Sequence, residues 1–226
     1  MTKAIVLLSG GLDSTVALFW AAKHYGEPPH AISFEYDQRC IYELSCVRRV
    51  LAHQAVASHV FANIGGKGVG LSGALVDRGV KLVADAPDGG AFLPGRNMLF
   101  LTLAAARATV VGATALVIGA NADDAAGFPD CRYPALQAIQ NALSQAFGDE
   151  LQVVAPFVTD TKAGVVRQAR ALGAGCWKAV GETWSCYEGR VIRREDARPC
   201  GACRVCLVRT EAFRLAGETD PALPTP

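Results

Sequence analysis

The feature that most constrains the fold of this chain is an apolar run, Ile5 to Leu8, that ends in the glycine pair Gly10 and Gly11. A short apolar run that is closed by glycines and followed by the apolar segment 16–22 predicts a buried strand, a tight turn and a helix. Because glycines let the backbone approach a ligand without Cβ interference, the amides that open this helix can point at a phosphate. The segment therefore predicts an anion site at the start of an α/β domain.

The polar side chains of this turn indicate which phosphate chemistry it suits. Ser9 and Ser14 add hydroxyl donors, but no lysine follows the glycines as it does in the Gly-x-x-x-x-Gly-Lys-Ser/Thr loop. Pyrophosphate held by amides and hydroxyls, with the α-phosphate exposed, favours adenylyl transfer over γ-phosphoryl transfer. The alternative is a plain turn in which Asp13 or Ser14 caps the helix. On the first interpretation the nucleotide contacts are Leu8, Ser9, Gly10, Gly11, Leu12, Asp13 and Ser14.

Apolar runs and helical patterns alternate along the rest of the chain. Further strands are predicted near residues 30–34, 56–63, 115–119 and 151–157, and helices near 38–57, 98–111, 133–147 and 163–172. This alternation predicts an α/β fold with right-handed crossovers and a doubly wound, five-stranded parallel sheet covered on both faces. No element is assigned between Gly65 and Gly90, where the glycine-rich stretch 65–70 is expected to be a mobile loop or lid.

Composition indicates the domain organisation. We expect residues 1–175 to form the α/β domain and 176–217 to form a small cysteine-containing region. Residues 218–226, which include three prolines, are expected to be a disordered tail.

Charge and hydropathy argue against a membrane or nucleic-acid protein. The formal net charge is +1, so the charge balance does not require a nucleic-acid partner. No apolar run approaches the roughly 18 residues of a membrane span, and no leader-like segment precedes the first strand. We therefore expect a cytoplasmic protein with no membrane and no stable nucleic-acid partner.

Further candidate residues follow the predicted strands, because open parallel sheets bind ligands beyond the carboxyl ends of their strands. Phe34 or Tyr36 is a candidate adenine contact, although Phe34 could equally belong to the core. Lys162, near a predicted helix start, is a candidate polyphosphate contact. Arg96 and Asn97 open another predicted helix, where a bound anion would compensate an arginine that helix dipoles disfavour; the alternative is an arginine that extends to solvent.

The segment after the fourth strand is a candidate substrate pocket, in which Asn121 is the first polar residue. Asp130 could accept from the N–H edge of a base, Phe128 could stack on a ring, and Arg132 could pair with a carboxylate. The alternative is a turn followed by the cap of the next helix.

Three of the eight cysteines lie within seven residues near the C-terminus. Together with one cysteine upstream they supply the four thiolates of a structural zinc site, and an iron–sulfur cluster is the alternative. The predicted ligands are Cys186, Cys200, Cys203 and Cys206. Cys40, Cys46 and Cys176 are expected to be small buried hydrophobic residues, whereas Cys131 lies in the candidate pocket.

These motifs together resemble one family of the pyrophosphatase-loop (PP-loop) ATPases. They are Ser-Gly-Gly-Leu-Asp-Ser at 9–14, Pro-Gly-Arg-Asn at 94–97, Gly-Phe-Pro-Asp-Cys-Arg at 127–132, Thr-Lys at 161–162, and the cysteines with Arg209, Ala212 and Phe213. The family is that of the 7-cyano-7-deazaguanine synthases (QueC), and the resemblance covers nearly the whole chain in order.

The resemblance implies ATP-dependent conversion of 7-carboxy-7-deazaguanine and ammonia to 7-cyano-7-deazaguanine (preQ0), through acyl-adenylate and amide intermediates, on the route to queuosine. It implies ATP, Mg²⁺ and Zn²⁺ as cofactors, and a homodimer. The catalytic set would be Ser9, Asp13, Ser14, Arg96 and Lys162, with Phe34 and Lys162 also contacting the nucleotide. The substrate set would be Arg96, Asn97, Asn121, Phe128, Asp130 and Arg132, and the four cysteines would bind the zinc.

Two features depart from the family pattern. The chain reads Tyr-Asp-Gln-Arg-Cys at 36–40, where family members usually show Tyr-Gly-Gln-Arg-His, and the glycine-rich stretch 65–70 is unusual. A paralogue that stops at the amide, or that joins the activated deazaguanine to an amine of a protein or nucleic acid, is therefore an alternative. A tRNA-thiolating PP-loop enzyme and a zinc-stabilised scaffold without activity are two others.

Overall fold

The computed structural model describes residues 2–83, 85–148, 150–188 and 197–223. The strands are β1 (Ala4–Leu7), β2 (His30–Glu35), β3 (Ser58–Asn63), β4 (Ala115–Val117) and β5 (Gln152–Val154). The helices are α1 (Leu12–Tyr25), α2 (Tyr42–Leu51), α3 (Arg96–Val111), α4 (Asp124–Gly127), α5 (Tyr133–Phe147), α6 (Lys162–Ala171), α7 (Ala174–Val180) and α8 (Arg204–Ala216). A 3₁₀ turn, Pro129–Cys131, precedes α5.

The strands form one parallel sheet in the order β3-β2-β1-β4-β5. In register, Ile5 of β1 pairs with His30 on one side and with Leu116 on the other. The strand order reverses at β1, which makes the crevice beyond the carboxyl ends of β1 and β4 the expected ligand position. The predicted doubly wound, five-stranded parallel sheet is confirmed.

Side-chain alternation along β1 divides the core between the two faces of the sheet. Val6 and Leu8 pack with the face that carries α1, α6, α7 and α8, whereas Ile5 and Leu7 pack with the face that carries α3 and α5. Helices therefore cover both faces, and all four of these residues are buried.

Some element bounds differ from the predicted ones. The predicted helix over 38–57 is shorter, because Asp37 has a left-handed φ of +60° and regular helix begins only at Tyr42. Helices α4, α7 and α8 were not predicted, and residues 65–83 contain turns without a regular element. In the part of the chain described here, no helix is both long and apolar enough to cross a membrane.

The expected disorder of residues 218–226 is wrong for its first part. Asp220 is 6% exposed and pairs with Arg209 of α8 through contacts of 2.6 and 2.9 Å. Glu218 also pairs with Arg170 of α6 at 2.7 Å. These ion pairs hold residues 218–220 against the helices, and residues 224–226 lie outside the described residues.

Candidate active site

The loop between β1 and α1 adopts a shape that glycine permits. Gly10 has a φ of +92°, and a Cβ at this position would lie 2.2 Å from the carbonyl oxygen of Glu43. The loop therefore packs backbone to backbone against α2, where any larger residue would displace it. The Ser14 hydroxyl lies 3.1 Å from the Ser9 hydroxyl, and the Gly11 amide donates to Ser9 Oγ at 3.2 Å. The predicted phosphate-binding groups are thus together at the carboxyl end of β1.

Lys162 lies beside this loop although it is 149 residues from Asp13. Its Nζ is 2.7 Å from Asp13 Oδ2 and 3.9 Å from Asp124 Oδ1. Burial alone would lower the pKa of Lys162, but the two carboxylates outweigh it and raise the pKa above its ordinary value. The lysine is therefore a fixed cation at the edge of the loop.

Asn121 positions the carboxylates of Asp13 and Asp124. Its amide nitrogen donates to Asp124 Oδ2 at 2.8 Å and to Asp13 Oδ1 at 3.3 Å. Burial raises the pKa of Asp124 to about 6, with Lys162 opposing the shift and Asp13 adding to it. Asn121 itself is fully buried.

A cavity of about 290 Å³ opens above the loop. It lies beyond the carboxyl ends of β1, β2 and β4, and side chains from α2, α3, α6, α8 and the segment 184–187 line it. The predicted site residues that line it are Leu8, Ser9, Gly11, Leu12, Asp13, Ser14, Phe34, Arg96, Asn97, Phe128 and Lys162.

Arg96 faces this cavity from the first turn of α3. Its Nη1 donates to the Tyr36 hydroxyl at 3.3 Å, and its guanidinium lies 5.8 Å from the centroid of that ring. Within the described residues, Arg96 forms an ion pair with no carboxylate, and its buried Nε has no partner. A cation in this position can accept an anionic ligand.

Aromatic rings line the same cavity. Phe34 is buried and stacks on Phe100 with ring centroids 4.3 Å apart, so the two interpretations of Phe34 as core and as cavity wall are both compatible with its position. Phe128 contacts Phe92 edge to face at 6.3 Å. These rings form an apolar surface on which a planar heterocycle could stack.

Four predicted site residues are not among the side chains that line the cavity as described. Gly10 packs against α2, and the Asn121 side chain donates to the carboxylates of Asp13 and Asp124. Asp130 is buried and accepts from the Asn97 amide at 3.1 Å, so it caps α3 and supplies the negative charge that the helix start needs. Arg132 is exposed and donates to the Ala125 carbonyl at 2.9 Å.

Glu43 is a cavity residue that sequence reasoning missed. Its Oε1 is 2.8 Å from the point that a Cβ on Gly11 would occupy, so the carboxylate lies over the loop. Burial raises its pKa to about 7, although a hydrogen bond with Ser9 and the charge of Arg96 act in the opposite direction. One signal was available: Glu43 precedes the buried Val47 and Val50 by one and two helical turns. A carboxylate on the buried face of a helix is unusual.

The first departure from the family pattern, at 36–40, lies at the wall of this cavity. Cys40 is buried at its wall, and burial raises the pKa of its thiol to about 12. Asp37 accepts from the Lys67 amide at 3.1 Å, and a Cβ on Gly66 would lie 2.1 Å from the Tyr36 carbonyl oxygen. The altered residue at 37 and the glycine-rich stretch therefore contact each other, so the two departures are structurally linked.

The remaining cysteines behave largely as small buried residues. Cys46 and Cys176 are buried, as expected. Cys131 lines the cavity, accepts from the Asn97 side chain at 3.3 Å, and has a pKa raised to about 12 by burial. A thiol with such a pKa stays protonated and is a poor nucleophile at neutral pH.

Cys186, Cys200, Cys203 and Cys206 converge, with their sulfur atoms all within 4.8 Å of one another. The Cys200–Cys206 and Cys186–Cys203 sulfur pairs are each 4.0 Å apart. Four sulfurs around a tetrahedral zinc, at about 2.3 Å each, are roughly 3.8 Å apart. Backbone amides of Cys200 and Cys203 donate to neighbouring sulfurs at 3.3 and 3.2 Å, which stabilises thiolates. The donor set and spacing fit zinc.

Trp184 connects the cysteine cluster to the phosphate loop. Its backbone amide donates to the Gly10 carbonyl at 3.1 Å, and its indole donates to the Cys186 carbonyl at 2.8 Å. The region that carries the cysteine cluster therefore supports the loop directly.

Comparisons with known proteins agree with this geometry. A family model described as "Queuosine biosynthesis protein QueC" matches residues 3–217. The 7-cyano-7-deazaguanine synthase of Kineococcus radiotolerans is 42% identical over 96% of this chain and 96% of its own length. The synthases of Chromobacterium violaceum and of a Synechococcus species are 37% and 39% identical, over 97% and 96% of this chain and 92% and 95% of theirs. Because the match extends over nearly the whole chain, this protein belongs to the QueC family of queuosine biosynthesis proteins.

Proposed function

We propose that this chain is a 7-cyano-7-deazaguanine synthase, which uses ATP to convert 7-carboxy-7-deazaguanine and ammonia to the nitrile. Membership of the QueC family and the names of its relatives support this activity. The observation that carries the proposal is the Arg96 guanidinium, which faces a cavity above the phosphate loop without a carboxylate partner among the described residues. A carboxylate substrate and a polyphosphate both need such a cation.

Different residues of the cavity would bind the pyrophosphate and the substrate carboxylate during adenylation. The amides and hydroxyls of the loop, with Lys162, would hold pyrophosphate, and Arg96 would hold the substrate carboxylate against the α-phosphorus. The carboxylate oxygen attacks that phosphorus and pyrophosphate leaves. The carboxylate oxygen, a poor leaving group, thereby becomes part of AMP, which is a good leaving group. Ammonia then displaces AMP to give the amide. A second ATP activates the amide oxygen, whose loss gives the nitrile.

The heterocycle would lie between the aromatic rings of the cavity. We propose that Phe128 stacks on the deazaguanine and that Phe34 borders the adenine, with Asn97 available for a polar contact. Asn121 and Asp130 would act behind the wall as positioning residues, because they bond to Asp13 and to the start of α3. The Arg132 side chain is exposed and donates to the Ala125 carbonyl, so we assign it no contact with the substrate.

Two metals complete the proposal. Mg²⁺ binds phosphates with one or two carboxylates, and the half-buried carboxylate of Asp124, which lines the cavity, is the candidate ligand here. Zinc would bind the four cysteines of a region spanning 176–217, attached to the α/β domain of 1–175. Reduced thiolates and ATP both point to the cytoplasm. A homodimer is proposed on the family resemblance alone.

The test is incubation of the purified protein with ATP, Mg²⁺, ammonium and 7-carboxy-7-deazaguanine, followed by mass spectrometry. We expect the nitrile, together with AMP and pyrophosphate. Amide alone, or mass added to a protein or nucleic acid, would instead support the divergent ligase, which the neutral Cys40 thiol in the cavity wall keeps as the second candidate. No exchange of ATP with labelled pyrophosphate would refute both.

A further inference from the structure

Glu43 lines the cavity and has no role in the adenylation chemistry proposed above. Among the described residues, five carboxylates line the cavity: Asp13, Glu43, Asp88, Asp123 and Asp124. Four of them accept from fixed donors of the protein. Asp13 pairs with Lys162, Asp124 accepts from Asn121, Asp123 accepts from the Lys162 amide at 2.8 Å, and Asp88 accepts from the Phe92 amide at 3.0 Å.

Glu43 differs from these four in its surroundings. No ion pair within the described residues involves it, and its carboxylate lies over the loop beside Gly11 and the Ser9 hydroxyl. The charged groups that face it are Arg96 of α3, Lys162 of α6 and Asp13 of α1. Four other titratable groups face it and are uncharged at neutral pH: Tyr36, Tyr187, Cys40 and Cys46.

Among the described residues that line the cavity, Asp124 also has a pKa raised towards neutrality, to about 6, but its carboxylate already accepts from Asn121 and lies 3.9 Å from Lys162. None of the four histidines lines the cavity as described, and its tyrosines and cysteines keep their protons at neutral pH. Ammonia is present at neutral pH almost entirely as ammonium, which has no lone pair for attack. A group that removes its proton beside the acyl-adenylate is therefore needed, and the best acceptor has a pKa near the working pH. With a pKa of about 7, Glu43 meets this condition.

Resting on the proposed function, we propose that Glu43 is the general base that deprotonates ammonium at the phosphate loop. One ammonium proton passes to the Glu43 carboxylate, and the freed lone pair forms the C–N bond at the acyl carbon. The C–O bond to AMP breaks, and AMP leaves with that electron pair. The surplus proton on the new amide nitrogen passes to solvent, and Glu43 later releases its own proton to solvent.

The test compares the wild type with Glu43→Gln, which keeps the shape and hydrogen bonding of the side chain but cannot take a proton. Three rates are measured: ATP–pyrophosphate exchange with 7-carboxy-7-deazaguanine, product formation with ammonium, and hydroxamate formation with hydroxylamine. Hydroxylamine is uncharged at neutral pH and needs no general base before attack. Glu211→Gln, on the exposed part of α8, is the matched control.

We expect Glu43→Gln to lower the ammonium reaction by about 100-fold, while exchange and hydroxamate formation change by no more than a few-fold. Glu43→Asp should recover part of the ammonium rate, because it restores an acceptor. Equal losses with ammonium and hydroxylamine, or an equal loss of exchange, would overturn the role of Glu43. Absence of exchange in the wild type would instead refute the proposed function itself.

Discussion

Removing the carboxylate of Asp220 should destabilise the fold strongly, although the residue lies only six positions before Pro226. The side chains of Asp220 and Arg209 are 4% and 8% exposed, and they meet through contacts of 2.6 and 2.9 Å. Arg209 also donates to Thr183 at 2.9 Å and to Ser185 at 3.1 Å. Asp220→Ala would leave a buried guanidinium without its counter-charge.

The expected size of this effect follows from the burial. Breaking a buried ion pair from one side costs about 3 to 5 kcal/mol in the free energy of unfolding. For a chain of this size each kcal/mol shifts Tm by about 2 to 4 °C, so the expected fall in Tm is roughly 6 to 20 °C. Replacing both partners, with Arg209→Met and Asp220→Leu together, should recover much of the loss because no charge is then left buried.

The matched control is Glu218→Ala, which removes an ion pair two residues earlier. The side chains of Arg170 and Glu218 are 49% and 24% exposed, so their pair should contribute less than about 1 kcal/mol. Thermal melts and urea titrations of the three variants measure the difference. Equal, small effects of Asp220→Ala and Glu218→Ala would refute the assignment of a buried pair and restore the expectation of a disordered tail.

Three further outcomes are expected. Lys162→Met should lower ATP–pyrophosphate exchange by about 100-fold, because it removes the fixed cation beside Asp13; unchanged exchange would exclude Lys162 from nucleotide binding. Cys203→Ser should lower both the zinc content and Tm, since structural zinc contributes to folding free energy; equal zinc in mutant and wild type would contradict this. Glu43 has a pKa of about 7 in the folded state against 4.5 ordinarily, so its ionisation lowers stability as pH rises between these values. Glu43→Gln should therefore raise Tm relative to wild type more at pH 8 than at pH 5, and a pH-independent difference would contradict the raised pKa.

The sequence predicted most of the elements because their signals are local. Apolar runs and helical periodicity identified all five strands and most of the helices, and the two glycines marked the turn after β1. The cysteine spacing likewise indicated a metal cluster before any distance was known. The bounds of the elements were predicted less accurately. Asp37 has a left-handed backbone, so α2 begins later than predicted, and hydrophobic periodicity does not indicate such a backbone conformation.

The sequence indicated less about individual site residues. Asp130 has the right chemistry to contact a base, but its neighbour in space is the first turn of α3, 33 residues away, where it caps the helix. The sequence indicated the position of Glu43 only weakly, because a single charged residue on an apolar helix face does not show which groups lie opposite it. Arg96 was singled out for its conflict with the helix dipole, and the structure adds that its guanidinium faces the cavity.

By itself, then, the sequence determined the order and type of most elements, the phosphate-loop turn and the set of four cysteines that converge in space. Hydrophobic periodicity, glycine and ligand spacing act over a few residues, so they can be interpreted without knowing the fold. The tertiary structure alone decided that Lys162 meets Asp13 across 149 residues, that Asp220 is buried against Arg209, and that Glu43 lies over the loop. These contacts depend on how the sheet order and the packed helices bring distant segments together, and burial then sets the charge and pKa of each group.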